Sequence, residues 1–100
     1  MDYVALFFAG AFLCNAIPHL VCAMQGSSFP TPFAKPPGVG ESSPLINFVW
    51  GAFNFLVGLV LLCDHPLIVG CNPRFLALTS GAFIIGIHLS WHFGNVRQKK

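Results

Sequence analysis

The sequence predicts an all-α integral membrane protein, a three-helix transmembrane bundle with a Pro/Gly-rich loop between helices 1 and 2. Three observations predict it. Hydrophobic residues make up 55% of the 100 residues and charged ones 8%, against the roughly 25% charged of an average soluble domain. The eight charges, Asp2, Lys35, Glu41, Asp64, Arg74, Arg97, Lys99 and Lys100, leave three long uncharged runs. Each run has about the ~20 apolar residues that a helix needs to cross the hydrocarbon core.

The first run, residues 4–24, has an acidic Asp2 before it and lacks the basic leader of a signal peptide, so it is read as a mature helix. The second run covers residues 45–63 and the third 75–93. Residues 25–44 form the first connection and hold five of the eight prolines together with Gly26, Gly38 and Gly40. That punctuation predicts a loop with no regular element, and no β-sheet anywhere. Within it Phe29-Pro30-Thr31-Pro32-Phe33 places two aromatics on a stiff backbone, which predicts a loop folded back onto the membrane interface. Asp64 to Arg74, with Pro66, Gly70 and Pro73, reads as a turn between antiparallel neighbours. The remainder, 94–100, is a basic tail, and the whole chain is one transmembrane domain.

Lys and Arg near span ends set orientation. Lys35, Arg97, Lys99 and Lys100 fall on one side and Arg74 on the other, so the C-terminus and loop 25–44 are expected in the cytoplasm. A net charge of +2 gives no basic stripe for nucleic acid. No Asp or Glu lies inside a span to orient a histidine, so triad chemistry and paired-carboxylate catalysis are not expected.

Helical spacing puts Asn47, Gly51, Asn54 and Gly58 on one face of the second span, and Ala77, Gly81, His88 and His92 on one face of the third. Ala11, Asn15, His19 and Cys22 make a looser stripe on the first. Small residues allow close approach in lipid and polar ones pair across helices, so the stripes should meet the other helices or a second copy. Gly51, Gly58 and Gly81 are the candidate helix-packing positions. Counting residues from the span ends sets Asn15 opposite Asn54 near mid-membrane. The same count brings His19 and His88 to one level beneath the loop, with His92 and Asn47 at the rim.

This cluster of His19, His88, His92, Asn15, Asn47 and Asn54 is the candidate binding site. Histidines of different helices at similar depth suit a metal or haem, and imidazoles titrating near neutrality suit proton or small-solute transport or sensing. The competing reading is structural, with His92 at the interface and His88 bonded to a neighbouring helix. No cofactor or metal is specified by the spacing. Cys14 and Cys22 stand ~12 Å apart along one helix, too far to bridge, whereas Cys63 and Cys71 flank the short connection and could form a disulfide in an oxidising compartment.

Asn15-Ala16-Ile17-Pro18-His19, Pro32-Phe33-Ala34-Lys35-Pro36-Pro37-Gly38, Ser42-Ser43 with Asn47, Trp50-Gly51 and Asn54, and His92-Phe93-Gly94 together resemble a group of small bacterial inner-membrane proteins, themselves uncharacterised. The resemblance implies an inner-membrane setting and no activity. The expected role is a non-enzymatic component that packs against itself or within a larger membrane complex, its other partner being the lipid bilayer.

Overall fold

The computed structural model describes residues 2–65 and 67–98. Its elements are α1 (Asp2–Met24), β1 (Phe29–Pro30), β2 (Glu41–Ser42), α2 (Pro44–Asp64) and α3 (Pro73–Gln98). Among the described residues all three helices are long and apolar enough to cross a membrane.

Each helix end has a local cause. Gly26, at φ +73°, takes the left-handed position that closes α1: its N–H reaches the carbonyl of Ala23, and Ser27 N–H that of Cys22 at 2.8 Å. Ser43 caps α2 by accepting from Ile46 N–H, with Pro44 at the first helical position where its missing N–H costs nothing. Asn72 does the same for α3, accepting from Phe75 N–H at 2.9 Å just before Pro73. α1 runs unbroken through Pro18.

α1 lies between the other two helices. It packs along α2 on one side and α3 on the other, while α2 and α3 scarcely touch. Leu20 meets Gly51 and Leu13 meets Gly58, an antiparallel register. Gly10 meets Leu78 and Cys14 meets Gly86, a parallel one. The α1–α3 crossing is the tighter seam: a Cβ on Gly81 would collide with the Phe7 carbonyl, and one on Gly10 with that of Leu78. Backbones this close are what small residues permit between helices in an apolar solvent, where Cα–H···O contacts add to van der Waals attraction. The candidate packing glycines Gly51, Gly58 and Gly81 are therefore all occupied by α1 of the same chain.

Two expectations need correction. The loop contains a regular element: β1 and β2 pair antiparallel, Phe29 with Ser42 and Pro30 with Glu41. The punctuating prolines lie mostly between or beside these two-residue strands, so turns bring the strand ends together instead of preventing pairing. Carbonyls of Thr31 and Pro36 close those turns, accepting from Ala34 and Gly38 and from Val39 and Gly40 respectively. The third helix also runs on to Gln98, five residues past the apolar run. Its backbone bonds continue through the polar tail because Val96 is buried there, in a depression shared with Phe29 and Pro30.

Gly81→Ala is expected to lower stability by ~1–3 kcal/mol, the range for overpacking a tight contact. Gly94→Ala, with nothing within 4 Å of the added carbon, should leave it unchanged or raise it by up to ~1 kcal/mol through helix propensity. Denaturation of the purified variants in detergent measures both.

Candidate functional site

Four polar side chains, Asn15, His19, Asn47 and Asn54, gather on the α1–α2 seam. Asn15 Nδ2 donates to Asn54 Oδ1 at 3.0 Å, and Asn54 Nδ2 donates to the Trp50 carbonyl at 2.8 Å. One turn nearer the loop, His19 and Asn47 meet at 2.8 Å through Nδ1 and Oδ1. Both are buried, Asn47 completely and His19 to 2% exposure.

Asn47 fixes the chemistry of this pair. Its Nδ2 lies 3.0 to 3.1 Å from three carbonyl oxygens, those of Phe29, Ser42 and Ser43, so the amide nitrogen must face them and the amide oxygen must face the imidazole. Oδ1 can only accept, which makes His19 Nδ1 the donor and leaves Nε2 with the lone pair in the neutral ring. One carboxamide thereby ties α1, both strands of the loop and the N-terminus of α2. Beside it the hydroxyls of Thr31 and Ser42 are hydrogen-bonded, and Thr31 Oγ1 also accepts from Phe33 N–H. No described buried polar side-chain atom lacks a partner.

The other two histidines of the proposed cluster lie elsewhere. His88 and His92 stack on α3 with ring centroids 6.1 Å apart and planes 9° from parallel. His92 Nε2 lies 2.8 Å from the Gly38 carbonyl, which can only accept, so Nε2 carries the proton and α3 is tied to the loop. Phe29 and Phe93 stand between the two settings, with centroids 5.4 Å from His19 to Phe29, 4.6 Å from Phe29 to Phe93 and 4.9 Å from Phe93 to His92.

The expected convergence of His19 with His88 is thus not made: no hydrogen bond or ring contact joins them. The reason is the order of the helices. His19 turns toward α2, and α3 lies on the opposite flank of α1. Among the described residues no group of three or more His, Cys, Asp or Glu is placed to hold a metal ion. Asn47, expected at the rim, is instead the best-buried polar side chain of the loop junction. The possible Cys63–Cys71 bridge is not formed. Both thiols are free and exposed, Cys63 on the last turn of α2 and Cys71 at the far end of a connection whose Asn72 folds back onto the Ile68 carbonyl at 2.7 Å.

Sequence reasoning missed Thr31, Ser42 and Phe29. Their roles depend on the strand pairing, and Phe29 contributes its backbone oxygen, which no side-chain pattern reports. Gly10 was missed too, although its small size inside an apolar span was the available signal. No protein-family profile matches the chain, and no curated protein and no solved structure matches it either.

Chemically the junction is a neutral latch. It joins the imidazole, carboxamide and hydroxyls of His19, Asn47, Thr31 and Ser42 to one another and to backbone carbonyls. Asn47→Ala should leave the three carbonyls and the His19 N–H short of a partner, at a cost of roughly 2 kcal/mol or more. Amide exchange should then rise across residues 27–43 while α1 and α3 stay protected, a pattern measurable by hydrogen–deuterium exchange. The His19 tautomer has its own readout: ¹⁵N resonances should report a protonated Nδ1 and a bare Nε2 when the ring is neutral.

Proposed function

We propose that this chain is an integral, multi-pass membrane protein acting as a non-enzymatic helix-packing component of a membrane assembly, as a homo-oligomer or within a larger complex. The allocation of side chains carries this reading. Asn15 with Asn54 and His19 with Asn47 are paired across α1 and α2, and most of what faces outward is large and apolar: Val49, Phe53 and Leu56 on α2, Phe83, Ile84 and Ile87 on α3, each more than half exposed, with Ser80, His88 and Ser90 among the exposed polar residues of α3. An aqueous surface of that kind would aggregate. In a bilayer it is the normal surface for lipid and for neighbouring helices.

Aromatic levels support the membrane placement. The rings of His19 and Trp50 are in contact at 6.5 Å. Cys14 lies beside Gly86 on a parallel helix, so five residues further His19 is level with Trp91. Both tryptophans and Phe33, which packs edge-on against Trp50, therefore share one level beneath the loop. Tyr3, 53% exposed, lies sixteen residues and ~24 Å away along α1. That spacing approaches the ~30 Å hydrocarbon thickness once the rings reach outward, and Trp and Tyr favour both boundaries. The loop and the latch then sit at the interface.

The distribution of Lys and Arg supports an orientation with the loop and C-terminus cytoplasmic, and the resemblance of the sequence supports a bacterial inner membrane as the setting. Assembly uses the outer faces of α2 and α3, since the glycine stripes already hold α1. Transport or sensing through the histidines has less to support it: the imidazoles occupy two separate settings, and Asn15, Asn54 and Asn47 are engaged in structural bonds.

Two measurements test the reading. In vesicles with quenchers placed at graded depths, Trp50→Phe and Trp91→Phe variants should each show the remaining tryptophan quenched most strongly near the acyl carbonyl level. Quenching strongest at the bilayer centre, or none from any lipid, would remove the placement. For assembly, mass measurement in mild detergent should give a multiple of 10.8 kDa or a co-purifying membrane protein. A bare monomer in every preparation would count against the component role.

A further inference from the structure

Because α2 and α3 flank α1 without closing on each other, one face of α1 floors an open groove of about 1100 Å³. Gly10, Cys14, Ile17 and Leu20 lie along the floor, Ala82, Gly86 and Ser90 along the α3 wall, and Phe55 on the α2 side. Polar atoms are few. The Ser90 hydroxyl is already bonded to the Gly86 carbonyl at 2.8 Å, which leaves the Cys14 thiol and the indole of Trp91 at the loop end.

We propose that this groove holds an acyl chain of a phospholipid whose phosphate is bound by Arg97. The inference rests on the membrane placement given above. From Gly10 to Leu20 the floor is ~15 Å long, half of a ~30 Å hydrocarbon core and hence the depth of one leaflet. Its loop end coincides with the level of Trp91, the boundary where acyl chains give way to headgroups.

Charge complementarity selects the lipid over another helix. Arg97 follows Ser90 by seven residues, two helical turns, so it shares the face of α3 that forms the wall and stands ~10 Å beyond it. It is exposed and lies at headgroup depth, where a guanidinium can take two phosphate oxygens at once. Arg97 and Glu41 both border the small depression beyond the groove and neither is part of its wall; helical spacing sets Arg97, not Glu41, on the face of α3 that continues the wall.

Native mass spectrometry of the detergent-solubilised protein tests this with two probes of identical acyl chains, a phosphatidylglycerol and a diacylglycerol. The wild-type chain should retain one phosphatidylglycerol in preference to diacylglycerol, and Arg97→Gln should reduce that preference by about fivefold, the scale of one basic side chain at a membrane surface. Ser90→Phe, which fills the groove, should lower retention of both lipids, whereas Ile84→Ala on the outer face should lower neither. If Ser90→Phe folds poorly, Ile17→Trp, at a floor position that is 57% exposed, provides the same block.

Equal retention in the groove-filled variants and the wild type would overturn the site. Equal preference in Arg97→Gln and the wild type would overturn the phosphate contact, and with it the proposal. A dimer that excludes lipid and is broken by Ser90→Phe would assign the groove to a second copy instead. A chain that stays folded and soluble without detergent would overturn the membrane reading itself, an outcome distinct from all of these.

Discussion

The carboxamide of Asn47 is the group on which the arrangement of this protein depends. A helix crossing lipid satisfies its own backbone, but a loop does not, and the loop between α1 and α2 has to be held by something that can both donate and accept. Asn is the smallest side chain that offers two donors and an acceptor in one rigid plane. Placed one turn inside α2, it gives its N–H groups to carbonyls of β1, β2 and the helix cap, and its oxygen to His19 of α1. A carboxylate there would present oxygens to three carbonyls, and a leucine would leave all four partners unmet.

From that junction the rest follows by packing. Pinning the loop to the α1–α2 end fixes Phe29, whose ring then lies between His19 and Phe93 and offers α3 an apolar seat. His92 adds one hydrogen bond from α3 to the loop at Gly38. Further along the α1–α3 seam the contact is steric. Gly10 and Gly81 hold the helices by backbone proximity. The α1–α2 seam thus combines side-chain hydrogen bonds with steric fit, whereas the α1–α3 seam around Gly10 and Gly81 rests on backbone proximity.

The helices were legible in the sequence because three uncharged apolar runs of about twenty residues have the length and composition of membrane-spanning helices. Their polar faces were legible too, since 100° per residue places Asn47, Gly51, Asn54 and Gly58 on a single line, and these are the buried residues of α2. Two facts were not. The flanking order α2–α1–α3 cannot be had from depth alone: level counting places His19 and His88 at similar heights but says nothing about which side of α1 each helix occupies. The loop ladder was hidden because two-residue strands have no periodicity to read, and because the atoms that matter most to Asn47 are backbone oxygens. The polar cluster inferred from side chains therefore divides: Asn15 with Asn54 and His19 with Asn47 are hydrogen-bonded, while His88 and His92 stack together on α3.

The central claim is that His19 and Asn47 act as one unit, and a double-mutant cycle tests it most directly. His19→Ala, Asn47→Ala and the double variant would be unfolded in the same detergent, and their stabilities compared with the wild type. A buried hydrogen-bonded pair predicts a coupling of roughly 1 kcal/mol or more, the double variant losing less than the sum of the singles. Strict additivity, with the loop equally protected in His19→Ala and wild type, would contradict it and leave Asn47 serving the loop alone.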